Sequence, residues 1–142
     1  MSIKTVNPYI LLNGTAQAAI GFYESALGAK TESIMHFGEV PAMNAPAEQK
    51  DLVIHAVMRV GGGVIMLSDA PSNQTIPPGG NIQITLDFSD FAEMSKAFDA
   101  LASGGKVVMP LADTFWGAKF GMVTDRFGVG WMLNSDMKKA EA

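Results

Sequence analysis

Few side chains in this chain could do chemistry. There are two histidines, His36 and His55, and no cysteine. The lack of cysteine excludes disulfides, thiolate metal sites, iron–sulfur clusters and cysteine nucleophiles. His55 begins an extended run in which alternation sets it on one side with Val57 and Arg59. There it reads either as a hydrogen-bonded strand histidine or as an acid–base or substrate-orienting group at a pocket mouth. His36 closes an earlier extended run beside Glu39. The two histidines could pair with Glu39 or Asp69 around a metal, but no close ligand spacing supports that. Asp69 and Asp136 end corresponding strands and read as solvent-side turn residues. Asp125 reads as a turn residue bonded to its own backbone. Gly61-Gly62-Gly63 is not a phosphate loop, because it joins two strands and no helix follows to supply a dipole. Neither a nucleophile elbow nor a Ser-His-Asp order is readable.

The elements that would position these groups follow from periodicity. Asn7–Asn13 is a short apolar strand, and Thr15 is a plausible N-cap for a helix striped by Ala16, Ala19, Ile20, Tyr23 and Leu27. Lys30 to Phe37 is extended again, and Gly38 to Lys50 is a loop whose length suits either a lid or a simply mobile segment. A hairpin covers Asp51 to Asp69, turning at Gly61-Gly62-Gly63. After a Pro- and Gly-rich linker the pattern restarts. Asn81, Ile84 and Leu86 match Asn7, Ile10 and Leu12, and Ala100-Leu101 matches Ala26-Leu27, all at one offset. A helix opening at Asp90 with Glu93 is striped by Phe91, Met94, Phe98 and Leu101. Further strands follow, the last two turning at Asp125-Arg126-Phe127-Gly128. Each half therefore reads strand, helix, three strands. The predicted organisation is a first βαβββ module over 1–70, a linker over 71–80, a second module over 81–136 and a tail over 137–142, together one α+β domain.

Alternation assigns the faces. Ile65, Leu67, Trp131, Leu133, Ile82, Ile84 and Leu86 should face the helices. Val64, Met66, Ser68, Met132, Asn134, Asn81, Gln83 and Thr85 should line the concave side of a curved mixed sheet. Methionines with a few amides make a small-molecule pocket by composition. The candidate ligand contacts are Tyr9, Phe37, His55, Met66, Asn81, Gln83, Trp116 and Met132, with no catalytic residue assigned. Trp116 reads as either a core or dimer-contact aromatic or a pocket wall, with Gly117 leaving backbone room.

Hydrophobic residues make up 48% of the chain and charged ones 17%, so the sequence encodes a large core. A net charge of −4 without a basic run argues against nucleic acid and against a polybasic membrane contact. No apolar run is long enough to span a bilayer, and no signal peptide is visible, so the expectation is a soluble cytoplasmic protein. Ten methionines and eight phenylalanines exceed what one curved sheet and two helices should bury. A symmetric homodimer burying at least ~1,000 Å² is therefore expected, with Phe115, Trp116 and Phe120 near the contact.

Phe22-Tyr23-Glu24-Ser25-Ala26-Leu27-Gly28-Ala29 and Asp125-Arg126-Phe127-Gly128-Val129-Gly130-Trp131 resemble the vicinal oxygen chelate superfamily of glyoxalases, bleomycin resistance proteins and extradiol dioxygenases. Phe37-Gly38-Glu39-Val40-Pro41, Met66-Leu67-Ser68-Asp69-Ala70 and Thr114-Phe115-Trp116-Gly117 resemble its PhnB-like branch. The resemblance implies paired βαβββ modules around a pocket, but not the reaction, because lyases, dioxygenases and pure binding proteins share the scaffold. In metal-dependent relatives it implies ligands at the start of the first strand and the middle of the last strand of each module. Those positions fall here on Asn7 or Pro8, Asn81, Met66 and Met132, which suit no hard metal. The expectation is thus no cofactor and no family metal, and binding of an unidentified small molecule. The alternative is a metal-dependent lyase or isomerase using other ligand positions. The methyltransferase label attached to the branch finds no glycine-rich cofactor loop to support it.

Overall fold

The computed structural model describes residues 2–70, 74–77, 79, 81–114 and 117–136. It comprises two units, Met1–Pro77 and Pro78–Ala142. No helix among the described residues is long and apolar enough to cross a membrane.

The first unit runs β1 (Tyr9–Leu12), α1 (Ala16–Leu27), β2 (Lys30–His36), β3 (Val53–Val60) and β4 (Gly63–Asp69). Its four strands lie in the order β1-β4-β3-β2, with β1 and β4 parallel and the other pairs antiparallel. The helix forms because Ala16, Ala19, Ile20 and Tyr23 recur on one stripe and are buried against β3 and β4. Gly28, in the left-handed region at φ 65°, ends it, and its N–H donates to Glu24 O. Ile10, Leu12, Ala56, Met58, Ile65 and Leu67 supply the sheet's half of this core. Each such large side chain, fully buried, contributes roughly 1.5–3 kcal/mol.

At the start of α1 one expectation holds in position only and another fails: Thr15 is the N-cap residue, and its carbonyl accepts from Ala19 N at 2.9 Å. Thr15 makes no side-chain cap bond. The cap comes instead from Asp69, which is only 2% exposed and is not a solvent-side residue. Its Oδ1 accepts from Ala16 N at 2.9 Å and its Oδ2 from Val53 N at 3.0 Å. One carboxylate thus fastens the helix start and the start of β3 to the end of β4. The segment read as an open loop is also different. Phe37–Glu39, Pro41–Met43 and Ala47–Gln49 form three successive 3-10 turns. The first is bolted to the strand entry by Phe37 N to Leu52 O and Gly38 N to Lys50 O. Short 3-10 turns satisfy backbone groups locally, which lets an irregular segment stay close to a sheet edge.

The second unit repeats the plan with β5 (Ile84–Phe88), α2 (Phe91–Ala102), β6 (Lys106–Asp113), β7 (Ala118–Thr124) and β8 (Gly130–Asp136), ordered β5-β8-β7-β6. Here the N-cap is the one expected: Asp90 accepts from Glu93 N at 2.9 Å. Met94, Phe98 and Leu101 of α2 are buried with Val123, Trp131 and Leu133 of the sheet. Gly121 allows this helix to sit close. A Cβ there would lie 2.9 Å from Phe98 Cε1 and 2.8 Å from Leu111 Cδ2. Asp125 does more than shape its turn. It is 3% exposed, its Oδ1 accepts from Phe127 N and Val129 N, and its Oδ2 accepts from the indole Nε1 of the fully buried Trp131. Arg126 donates to Ser103 O and so ties the same turn to the end of α2.

The repeat is real, but the single offset read from the sequence is not kept. Tyr9 pairs with Met66 in the first unit, whereas Thr85 pairs with Met132 in the second. Matching the two methionines therefore slips the first strands by two residues. Ile82, expected in the core, is 81% exposed, and Asn81 and Gln83 precede the strand rather than belong to it.

Candidate functional site

The face of the first sheet turned away from α1 is built by alternation. Tyr9, Met66, Val57 and Ser33 are successive partners across β1, β4, β3 and β2, so their side chains form one row on that face. The neighbouring row carries Leu11 paired with Ser68, and His55 paired with Met35. Ala56 and Leu67, the partners between these rows, are fully buried on the helix side, which fixes the phase. On the free face Tyr9, Leu11 and Met35 remain 46%, 46% and 48% exposed.

Tyr9 and His55 meet on this face although β1 and β3 are not neighbours. Tyr9 Oη lies 2.9 Å from His55 Nδ1, and the two rings are 5.7 Å apart at an angle of 34°. The pair reaches across β4, where Ser68 presents only a small side chain to this face. A phenol–imidazole bond set among Leu11, Met35, Val57 and Met66 is a polar point in an apolar surface. Such a surface can hold an apolar body and orient one polar atom of it.

His36 is not part of this arrangement. Its Nε2 is 2.8 Å from Gln17 Oε1 of α1, and its backbone N–H donates to Glu39 Oε2 at 2.7 Å. Its Nδ1 lies 3.1 Å from the same Glu39 oxygen. The backbone bond first, then the imidazole contact, holds the Glu39 carboxyl below its ordinary value. Both groups are thereby committed to closing the first 3-10 turn, and His36 and Glu39 do not join His55. Phe37 opens that turn and is half-buried, with its backbone bonded to Leu52.

In the second unit Met132 lies in the row Thr85, Met132, Met122 and Met109 across β5, β8, β7 and β6, on the face away from α2. In the next row Asn134 Nδ2 donates to Asp87 Oδ1 at 3.3 Å. Gln83 sits over Gly130, where a Cβ would collide with its carboxamide. Asn81 is exposed and outside the strand. Phe115 and Trp116 lie outside the described residues.

The register also tests the metal positions implied by the resemblance. The first-strand residues that share a row with Met66 and Met132 are Tyr9 and Thr85, not Asn7, Pro8 or Asn81. A phenol, an alcohol and two thioethers do not match a hard divalent ion, which takes imidazole and carboxylate. Among the described residues no group of three or more His, Cys, Asp or Glu converges to replace them. The residues present do not fit the group.

Comparison with known proteins places the fold in a family. The model of the Glyoxalase/Bleomycin resistance protein/Dioxygenase superfamily matches residues 5–133. Protein YjdN of Escherichia coli is 37% identical over 139 residues, covering 91% of this chain and 93% of its own. The crystal structure of protein PA1353 from Pseudomonas aeruginosa is 40% identical with a TM-score of 0.84, over 94% of this chain and 98% of that one. The PhnB protein from Bacillus cereus is 27% identical with a TM-score of 0.76, over 93% and 99%.

Proposed function

The chain belongs to the Glyoxalase/Bleomycin resistance protein/Dioxygenase superfamily, in its PhnB-like branch, and on that footing we propose that it binds a small, largely apolar molecule without the family's metal. The observation that carries this reading is the Tyr9–His55 bond lying over β4 among half-exposed apolar side chains. A sheet face left free of its helix normally carries polar residues. This one carries Leu11, Met35, Val57 and Met66 around the Tyr9–His55 pair, with Ser33 and Ser68 in the same rows and Arg59 paired with Glu32. Methionine suits such a surface because its unbranched thioether reshapes around different ligands. The donor chemistry in the same rows supports binding in place of metal-assisted lyase or isomerase chemistry.

Titration with the neutral dye Nile red tests the proposal. Saturable binding is expected, and Met66→Glu should weaken it at least about tenfold by setting a carboxylate against the apolar dye. Because Met66 is on the free face, the melting temperature of the variant should stay close to the parent's. Dye affinity unchanged in Met66→Glu, or no saturable binding by the parent, would overturn the reading.

A further inference from the structure

The direction of the Tyr9–His55 bond decides what the free edge of the imidazole offers. A phenol is a stronger acid than a neutral imidazole N–H, and an imidazole nitrogen is a better acceptor than a phenol oxygen. Tyr9 Oη–H therefore donates to His55 Nδ1, and the ring proton of the neutral imidazole is held on Nε2. If the imidazole takes up a second proton, both nitrogens carry hydrogen and Nε2 still donates. The Nε2 edge is thus a donor in either charge state. Among the described residues His55 has no second hydrogen bond. It is half-buried, and its face bears Leu11, Met35, Val57, Met66 and Ser68. Ser68 Oγ lies 3.4 Å from Asp69 O, so that hydroxyl has a backbone acceptor of its own. The nearest charged pair on this face, Arg59 with Glu32, is closed on itself at 2.8 Å.

We propose that His55, fixed in its Nε2–H form by Tyr9, selects ligands that carry an acceptor oxygen, a carbonyl or carboxylate, at the edge of an apolar or aromatic body. A buried or half-buried donor discriminates strongly, because a ligand without the acceptor strips its water and leaves it unpaired. Tyr9 is then a positioning residue that acts through the tautomer, and His55 is the group that touches the ligand. The inference rests on the binding reading above and deepens it.

Naphthyl methyl ketone and ethylnaphthalene, which differ by a carbonyl against a methylene, are the probes. The quantity read is the ratio of their dissociation constants, which cancels general hydrophobicity. Replacing His55 with phenylalanine should shift that ratio against the ketone by roughly five- to tenfold, the size of one net hydrogen bond. Tyr9→Phe frees the tautomer and should shift it by a smaller factor. An unchanged ratio in His55→Phe, with both probes still bound, overturns the proposal. Binding of neither probe by the parent removes the underlying reading, and this inference with it. Independently of any variant, long-range proton–nitrogen correlation spectra of the parent should show Nε2 protonated and Nδ1 bare at neutral imidazole. The opposite tautomer would overturn the inference even if the variants did not fold.

Discussion

Asp69→Ala is expected to destabilise the first unit by about 3–5 kcal/mol, because it strands two buried backbone donors, one of them the capped N–H of the helix, at roughly 1–3 kcal/mol each. The donors are Ala16 N and Val53 N, and the carboxylate joining them is 2% exposed. Water cannot replace it without opening the junction of α1, β3 and β4. Urea unfolding followed by circular dichroism measures the effect as a fall in midpoint. Asp69→Asn keeps one acceptor oxygen but turns an amide group toward the other N–H, so its loss should lie between parent and alanine variant. A loss below about 1 kcal/mol for Asp69→Ala, the range of ordinary surface substitutions, would mean that this carboxylate does not cap the helix.

The second large effect belongs to Asp125. Its alanine variant loses acceptors for Phe127 N, Val129 N and the Trp131 indole N–H, a cost again of about 3–5 kcal/mol. The two units then differ in a useful way. Asp125→Ala should change the near-ultraviolet dichroism and emission of Trp131, which is fully buried against the helix side of β8. Asp69→Ala should leave the environment of that indole nearly unchanged, since its partners are all in the first unit. Trp131→Phe removes the indole donor and part of a fully buried ring but keeps both turn bonds to Asp125 Oδ1, so its cost adds a cavity to one lost hydrogen bond. A loss below about 1 kcal/mol for Asp125→Ala would contradict the account of Asp125.

Much of this architecture is legible in the residues. Alternation alone places Ile65, Leu67, Trp131 and Leu133 in the core, and all four are buried. What it misses depends on distance along the chain. Asp69 looks like a turn residue because it ends a strand, yet its partners lie 53 and 16 residues away. The alternating run Asn81 to Leu86 suggests a longer strand than forms. Its parallel partner β8 begins only at Gly130, after the Asp125 turn, and the ladder opens at Ile84 with Trp131, so Asn81 and Ile82 lie outside it. Identity matches between the halves likewise align residue types but not hydrogen-bond registers, which is why the offset slips. Of the proposed contacts, Tyr9, His55 and Met66 come together on one face. Alternation put His55 on a side with Val57, but Tyr9 reaches it only because β4 intervenes between β1 and β3. Strand order is a long-range property, and no local pattern states it. Phe37 opens the first 3-10 turn, where its backbone N–H is bonded to Leu52 O.

The central claim, that the helix-free face of the first sheet is the ligand surface, is tested most directly by methyl resonances. The methionines are well placed as reporters. Met66 and Met35 lie on that face, whereas Met58 and Met94 are fully buried on the helix sides of the two units. Titration of a methionine-methyl-labelled sample with naphthyl methyl ketone should shift the signals of Met66 and Met35 progressively and to saturation, and leave Met58 and Met94 in place. Saturable shifts at Met58 or Met94 with Met66 unmoved, or no methyl shift up to the solubility limit of the ketone, would contradict it.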